Sequence, residues 1–232
     1  MSYWTTPEAF LGNTLGKSYD MDNQYGKTCW DYADFYWLKQ VGRSLSTGGT
    51  GQARGCWSVA SARKANAGTE FELITDKSKL RIGDCVITNG GKYGHVGFVY
   101  EVKGNNVVIL QGQNQGTIRT KVTRIDFGLG DFLGAFRYKA WASKPSFLPA
   151  RGYWTKGDSD ERIAKLCDFY ANNFYGYFCK TKQEAHNLLD GPYFGNNCLK
   201  WTKEFQKRVH IQSDGNIGPI TYNKLQQFGF TG

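Results

Sequence analysis

The sequence predicts an α+β protein made of two domains, and three observations support this prediction. Helical patterns fill the first part of the chain, and short β-rich runs separated by Gly, Asn and Lys turns follow them. Beyond a segment that contains prolines, helical patterns return. Helices followed by closely spaced strands are typical of an antiparallel sheet with helices packed on it.

The N-terminal part contains three predicted helices. Thr6 followed by Pro7 is a helix start, and that helix runs to about residue 11 or 15. A second helix begins at Cys29, has apolar residues at roughly helical spacing and ends at Gly42. A polar loop over 44–51 leads to a third helix, over about 53–67.

Five runs are rich in β-formers and recur at the spacing of an antiparallel sheet. They cover residues 71–75, 84–88, 94–102, 106–114 and 132–139.

A domain boundary is predicted in the segment 142–152, which holds two of the five prolines and has no periodic pattern. The first domain then covers 1–141 and the second 153–232. Three amphipathic helices are predicted in the second domain, the first of them capped by Asp158 or Ser159. They cover 159–174, 196–209 and 219–228, and Asp-Gly turns at 190–195 and 214–219 precede the last two.

Composition narrows the choice of partners. The net charge of +9 favours anionic surroundings such as nucleic acid, lipid headgroups or a cell wall. No long basic run and no nucleic-acid-binding motif occurs, so nucleic acid is not an expected partner. No apolar stretch reaches membrane-spanning length, so no membrane partner is expected. No secretory leader is seen, which predicts synthesis in the cytoplasm. The six cysteines contain no CxxC pair, which argues against zinc and a disulfide framework.

Cys29 is the predicted nucleophile. The amides and dipole of a helix N-terminus favour a negative charge, so this position is expected to lower the pKa of the thiol. His95 lies in a predicted strand between Gly94 and Gly97. A histidine in a strand is often purely structural, but a thiolate on a helix and an imidazole on a facing strand also form the arrangement of thiol hydrolases.

The segment before Cys29 predicts a calcium loop. Oxygen donors stand at positions 1, 3, 5, 7 and 12 of a twelve-residue loop that runs into the helix. They are Asp20, Asp22, Gln24, Gly26 and Asp31. Tyr25 stands where an EF-hand has glycine, and Asp31 where it has glutamate, so a true EF-hand pair is not expected. The alternative is an acidic, solvated turn that caps the helix.

YGKTCWDYADFY (25–36), RIGDCVITNGGKYGHVGFVYEV (81–102) and VVILQGQN (107–114) resemble a CHAP domain, the papain-like cysteine amidohydrolase and peptidase module of bacterial and phage cell-wall hydrolases. The resemblance covers about 1–140 and implies that Cys29 is the nucleophile and His95 the base. It also implies a structural calcium ion, because some phage members carry aspartates at the positions of Asp20, Asp22 and Asp31.

Two departures from the family pattern affect the site. Many members have glutamate where this chain has Gly112, which leaves Asn114 to orient the imidazole, with Gln113 as the alternative. The residue before the cysteine is commonly glutamine and is Thr28 here. Only the Cys29 backbone amide is therefore assigned to the oxyanion hole.

Residues 152–232 are similar to the three-helix peptidoglycan-binding module of wall hydrolases, in which DGxxG turns and an FQ helix recur. A generic helical bundle is the alternative. Together the two resemblances imply a phage endolysin that reaches the wall through a holin, with peptidoglycan and anionic wall polymers as partners. The expected reaction is cleavage of a stem or cross-bridge peptide, with cleavage of the muramic acid to L-alanine amide close behind. A non-catalytic wall-binding protein and an amidase acting on a soluble peptide conjugate remain open.

Overall fold

The structure is a computed structural model that describes residues 3–24, 26–103, 106–112, 121–142, 147–149, 151–189 and 191–232. The chain divides into two compact units, Met1–Pro145 and Ser146–Gly232. This division falls inside the segment predicted as a linker. Within the described ranges, none of the helices combines the length and apolar character that a membrane span needs.

The helices of the first unit start and end at local signals. They are α1 (Pro7–Thr14), α2 (Cys29–Val41), α3 (Gly55–Ser58), α4 (Ala60–Ala67) and α5 (Lys139–Ala142). Thr6 caps α1 with its side chain, and α2 ends at Gly42, whose φ of 75° is the left-handed conformation that glycine adopts readily. The single helix predicted over 53–67 is two helices, because Val59 is extended between them.

A six-stranded antiparallel sheet follows, in the order β1-β6-β2-β3-β4-β5. Its strands are β1 (Phe71–Ile74), β2 (Cys85–Thr88), β3 (His95–Lys103), β4 (Asn106–Gln111), β5 (Thr123–Gly128) and β6 (Phe132–Tyr138). Each of the five predicted runs contains a strand, and the α+β class is confirmed. The prediction missed β5, in which half-buried residues alternate with exposed ones such as Arg124 and Asp126.

The two faces of the sheet are packed differently. On one face Phe98 of β3 lies among the buried rings of Phe10, Tyr32 and Tyr36, at centroid distances of 4.7, 5.2 and 4.9 Å. The other face carries an aliphatic cluster that includes Ile74, Leu80, Val86, Val99, Val107, Ile109, Leu129 and Ala135. Burial of these apolar side chains is the main force that holds the helices and strands together.

The second unit contains four α-helices in its described residues: α6 (Glu161–Asn173), α7 (Lys182–Leu188), α8 (Asn196–Arg208) and α9 (Pro219–Gln227). The three predicted helices are present, and α7 is additional. Only Ala185 is buried in α7, so that helix shows no apolar stripe in the sequence.

The predicted cap of the first helix in this unit was wrong. Asp160 caps α6 by accepting a hydrogen bond from the Arg162 amide. The carboxylate of Asp158 instead accepts a hydrogen bond from the Thr155 amide and pairs with Arg151. Asp158 therefore holds the preceding turn.

The FQ pair of α8 holds the second unit together. Phe205 is fully buried, and Gln206 donates to Asp214 Oδ1, the Asn216 carbonyl and Thr221 Oγ1. Its Oε1 accepts a hydrogen bond from the Gly215 amide. One buried side chain thus fixes the whole Asp-Gly turn at 214–219.

Part of the predicted linker belongs to the core of this unit. Phe147 and Leu148 are buried, and the Phe147 ring stacks on Tyr222 at 4.9 Å. The Phe147 carbonyl accepts a hydrogen bond from the Trp154 indole.

Candidate functional site

Cys29 is the first residue of α2, and a capping box fixes the helix start. The Thr28 hydroxyl accepts a hydrogen bond from the Asp31 amide at 3.3 Å. Asp31 Oδ2 in turn accepts from the Thr28 amide at 2.7 Å and from the Thr28 hydroxyl at 2.6 Å. Such reciprocal bonds satisfy amide groups at a helix start that otherwise lack partners. Thr28, unusual for the family, therefore acts as the helix cap.

Two aromatic residues set the position of α2 against β3. Tyr32 lies three residues after Cys29, Phe98 lies three residues after His95, and both side chains are fully buried. Their rings meet edge to face at 5.2 Å. This contact aligns the start of the helix with the start of the strand, so the Cys29 thiol lies within hydrogen-bonding reach of the Val96 backbone.

The environment of the Cys29 thiol opposes its ionisation. Burial raises its pKa to about 11, although hydrogen bonds from the backbone at Val96, Trp30 and Cys29 itself favour the thiolate. The lowered pKa expected from the helix terminus is therefore not found. Because the thiol is protonated near neutral pH, a base has to remove its proton before attack.

His95 is the first residue of β3 and is buried. It is paired with Thr88 of β2, and its ring stacks on Phe127 at 5.5 Å. The structure thus brings the thiol to the backbone of the residue that follows His95 and places the imidazole against Phe127. Both side chains lie at the same end of the interior strand β3.

The third member of the predicted triad lies outside the described residues. This applies to Asn114 and to the alternative, Gln113. Gly112 is described, and a β-carbon placed there would lie 2.2 Å from the Thr28 carbonyl oxygen. The site of the family's glutamate therefore has no room for a side chain.

Gln111 is a polar residue near the site to which the sequence assigned no role. It is 4% exposed, and its Oε1 has no hydrogen-bond partner among the described residues. Strand alternation places it on the same face of β4 as Ile109. A buried amide oxygen without a partner is uncommon, and only the structure reveals it.

The acidic loop brings three carboxylates together before α2. Asp20, Asp22 and Asp31 each offer an oxygen, and these atoms all lie within 4.8 Å of one another. The amides of Asn23 and Gln24 donate to Asp20 and Asp22.

Asp31 is the buried member of this group, and its Oδ1 accepts a hydrogen bond from the Met21 amide. Carboxylate oxygens are the ligands that a hard divalent cation prefers, so these three residues fit such an ion. Gln24 and Gly26, the two predicted carbonyl ligands, are exposed in the same loop. Tyr25 lies outside the described residues.

A cleft of about 570 Å³ opens beside His95. It is lined by the loop 90–94, by Thr88 and by the end of β5 with the turn that follows, including Phe127, Gly128 and Asp131. The Arg54 side chain holds the loop through hydrogen bonds to Asn89 Oδ1 and the Lys92 carbonyl. Hydrogen bonds therefore hold the backbone of the cleft in place next to His95, the predicted base.

Comparison with solved structures gives weak similarities. The wild-type endolysin LysIME-EF1 shares 20% identity over 57% of this chain, with a TM-score of 0.47, and Ly7917 shares 16% over 58%, with a TM-score of 0.39. A periplasmic domain of the Vibrio vulnificus EpsAB fusion protein shares 16% over 67%, with a TM-score of 0.27. This chain covers 62%, 61% and 63% of those chains respectively, less than two thirds of each. Such scores are too low to support a function.

Sequence comparison gives a more specific result. No curated protein matches the chain. The family model described as the CHAP domain matches residues 18–114, a range that contains the acidic loop, Cys29, His95 and Asn114. The six-stranded sheet and the helix α2, which packs against it, belong to the same unit. The first unit of this protein therefore carries a CHAP domain.

Proposed function

We propose that this protein is a cysteine-dependent peptidoglycan hydrolase, an endolysin that cleaves an amide bond in the stem or cross-bridge peptide. One observation carries the proposal most directly. A thiol at the first residue of a helix lies against the backbone of Val96, the residue that follows the buried His95 in β3, in a segment that matches the CHAP domain.

In the proposed reaction the Cys29 sulfur attacks the carbonyl carbon of the scissile amide. Since the thiol is neutral near pH 7, His95 accepts its proton and later gives it to the leaving amine. The Cys29 backbone amide is one of the first amides of α2, which have no acceptor within the helix, and it donates to the developing oxyanion. Water then attacks the thioester with His95 as base, which releases the acid and restores the thiol.

Asn114 is the proposed orienter of the His95 ring, with Gln113 as the alternative. The steric limit at Gly112 supports a position other than the family's glutamate. Gln111 is a second alternative, because its buried oxygen has no partner among the described residues.

Calcium is the proposed structural ion of the acidic loop. Asp20, Asp22 and Asp31 would hold it, with Gln24 and Gly26 as additional ligands, and the ion would neutralise three neighbouring carboxylates. Asp31 also closes the capping box with Thr28, the residue before the nucleophile. The loop and the start of α2 are thus coupled through a single carboxylate.

The second unit is the proposed wall-binding module. Tyr193 and Phe228 are exposed aromatic side chains, at 43% and 53%, and exposed rings are suitable for stacking on sugars. The net charge of the whole chain, +9, also suits anionic wall polymers. Ligand contacts are not assigned.

The test is the clearing of purified Gram-positive cell walls, followed by mass spectrometry of the released fragments. We expect wild type to clear the walls and Cys29→Ala to leave them intact while still sedimenting with them. New amino termini within the peptides identify an endopeptidase, whereas free lactyl groups with new L-alanine termini identify the amidase. Clearing by Cys29→Ala would refute the thiol mechanism. Sedimentation of both proteins without clearing would favour a non-catalytic binding protein.

A further inference from the structure

The cleft beside His95 contains two polar groups that the described part of the chain leaves without partners. The Asp131 carboxylate is in no ion pair with a described residue, and Thr88 is only 1% exposed, with no hydrogen-bond partner for its hydroxyl among the described residues. Both residues line the cleft. A buried hydroxyl without a partner is costly, and a ligand that supplies a donor would remove that cost.

The two groups face the same small space. A β-carbon placed on Gly90 would lie 3.2 Å from Asp131 Oδ2 and 3.9 Å from Thr88 Oγ1. Gly90 has no side chain, so this space next to its backbone stays open between a carboxylate and a hydroxyl. Both are hydrogen-bond acceptors, and one of them carries a negative charge.

The remaining walls suit an aliphatic chain. Phe127, which stacks on His95, and Tyr93, which is 36% exposed, supply apolar surface. The cationic group among the lining residues is Lys92, whose ammonium lies 5.1 Å from the Tyr93 ring centroid and forms no ion pair with a described residue.

The cleft does not need to be remodelled to receive a ligand. Besides the Arg54 side-chain bonds, the Arg54 amide donates to the Tyr93 carbonyl, and the Asn89 amide donates to the Asp131 carbonyl at 2.8 Å. These bonds tie the loop to α3 and to the turn before β6. Preorganised groups bind a ligand at lower entropic cost.

We propose that this cleft is a substrate subsite for a primary ammonium group on an aliphatic stem, bound by Asp131 and Thr88. The substrate class is then a peptide with a diamino-acid side chain or a free terminal amine beside the cleaved bond. This inference rests on the proposed hydrolase function, since the subsite adjoins the proposed base His95. An ammonium donates three hydrogen bonds, which matches an acceptor pair without other partners among the described residues.

A binding experiment tests the subsite without catalysis. Nα-acetyl-lysine methylamide and its norleucine counterpart, which lacks the ammonium, are titrated into the full chain, and binding is followed by NMR chemical shifts. We expect the lysine compound to bind, Asp131→Asn and Thr88→Val to weaken it, the former by about tenfold, and the norleucine compound to bind more weakly by a similar factor. Asp126→Asn, which removes the same charge from an exposed position of β5, should leave binding unchanged.

Equal binding of the two compounds, unchanged binding in Asp131→Asn, or no binding of the lysine compound would each overturn the subsite. A second arm compares wall digestion before and after acetylation of the wall amino groups. Loss of cleavage after acetylation supports the subsite, and equal cleavage refutes it while the hydrolase function stands. If wild type cleaves neither wall, the hydrolase function fails, and the titration still decides the subsite.

Discussion

Gly112 and Thr28 approach so closely that a β-carbon on Gly112 would lie 2.2 Å from the Thr28 carbonyl oxygen. Thr28 caps the helix that begins with Cys29, and Gly112 follows the last residue of β4. The strand that leads to the predicted orienter Asn114 thus runs against the residue that precedes the predicted nucleophile. The glycine departs from the family pattern because α2 occupies the space of a side chain.

Replacing Gly112 with alanine should therefore weaken both the fold and the site. The neighbouring atom belongs to the backbone and cannot rotate away, so we expect a loss of about 1–3 kcal/mol, the usual cost of overpacking. Urea unfolding measures this loss, and wall clearing measures the displacement of Cys29. For the unfolding measurement, the matched control is Gly128→Ala on β5, where a β-carbon would meet nothing within 4 Å. Equal midpoints for the two variants would contradict the steric assignment.

The reactivity of Cys29 should rise with pH well beyond the neutral range. Burial raises the thiol pKa to about 11, so its alkylation rate should grow about tenfold per pH unit from pH 7 to 9 and not level off below pH 10. Iodoacetamide labelling with peptide mapping measures the rate. Four of the six cysteines are fully buried, whereas Cys29 and Cys179 are only partly buried, so a Cys179→Ser background leaves Cys29 as the most accessible cysteine.

A rate that is already constant at pH 7 would show a thiolate paired with an imidazolium.

The raised pKa of the Cys29 thiol also affects the stability of the fold. The folded pKa lies above the ordinary value of 9.0, so this thiol favours the folded state below about pH 9. Its contribution is lost as the pH rises towards 11, and Cys29→Ala should unfold at a higher pH than wild type.

Elements that follow from short-range signals were predictable. The cap at Thr6 marked the start of α1, and the glycine at 42 marked the end of α2. Long-range contacts decided the features that were missed. No proline or glycine in residues 56–67 marks the break at Val59, and β5 is half-buried with charged residues facing outward.

The same distinction applies to the site, where the residues could be predicted from the sequence and their surroundings could not. Residue types and their spacing along the chain were sufficient to single out Cys29, His95 and the acidic loop as candidates. The environment of the thiol depends on Val96, sixty-seven positions away, and on the packing of Tyr32 against Phe98. Dipole arguments at a helix terminus take no account of such burial, so they gave the wrong direction for the pKa.

Gln206 should be the most sensitive polar residue of the second unit. Replacing it with leucine removes its bonds to the turn at 214–219 and leaves the buried Gly215 amide without its acceptor. We expect a loss of about 1–3 kcal/mol. Urea titration followed by hydrogen exchange in peptides from Ser146–Gly232 measures it. Gln212→Leu, at an exposed position of the same unit, is the control, and equal exchange in the two variants would contradict the role of Gln206.

Calcium should stabilise the wild-type protein and should lose that effect when one loop carboxylate is neutralised. An ion at a hundredfold excess over its Kd stabilises a protein by about 2.7 kcal/mol, which the melting temperature reports. Asp22→Asn keeps the shape of the side chain and should lower the melting temperature in calcium. In EGTA the same variant should melt at or above the wild-type temperature, because it relieves repulsion among Asp20, Asp22 and Asp31. Asp126→Asn, a surface change on β5, should show neither effect. If calcium leaves the wild-type melting temperature unchanged, the acidic loop is a solvated helix cap, held by Asp31 and Thr28 alone.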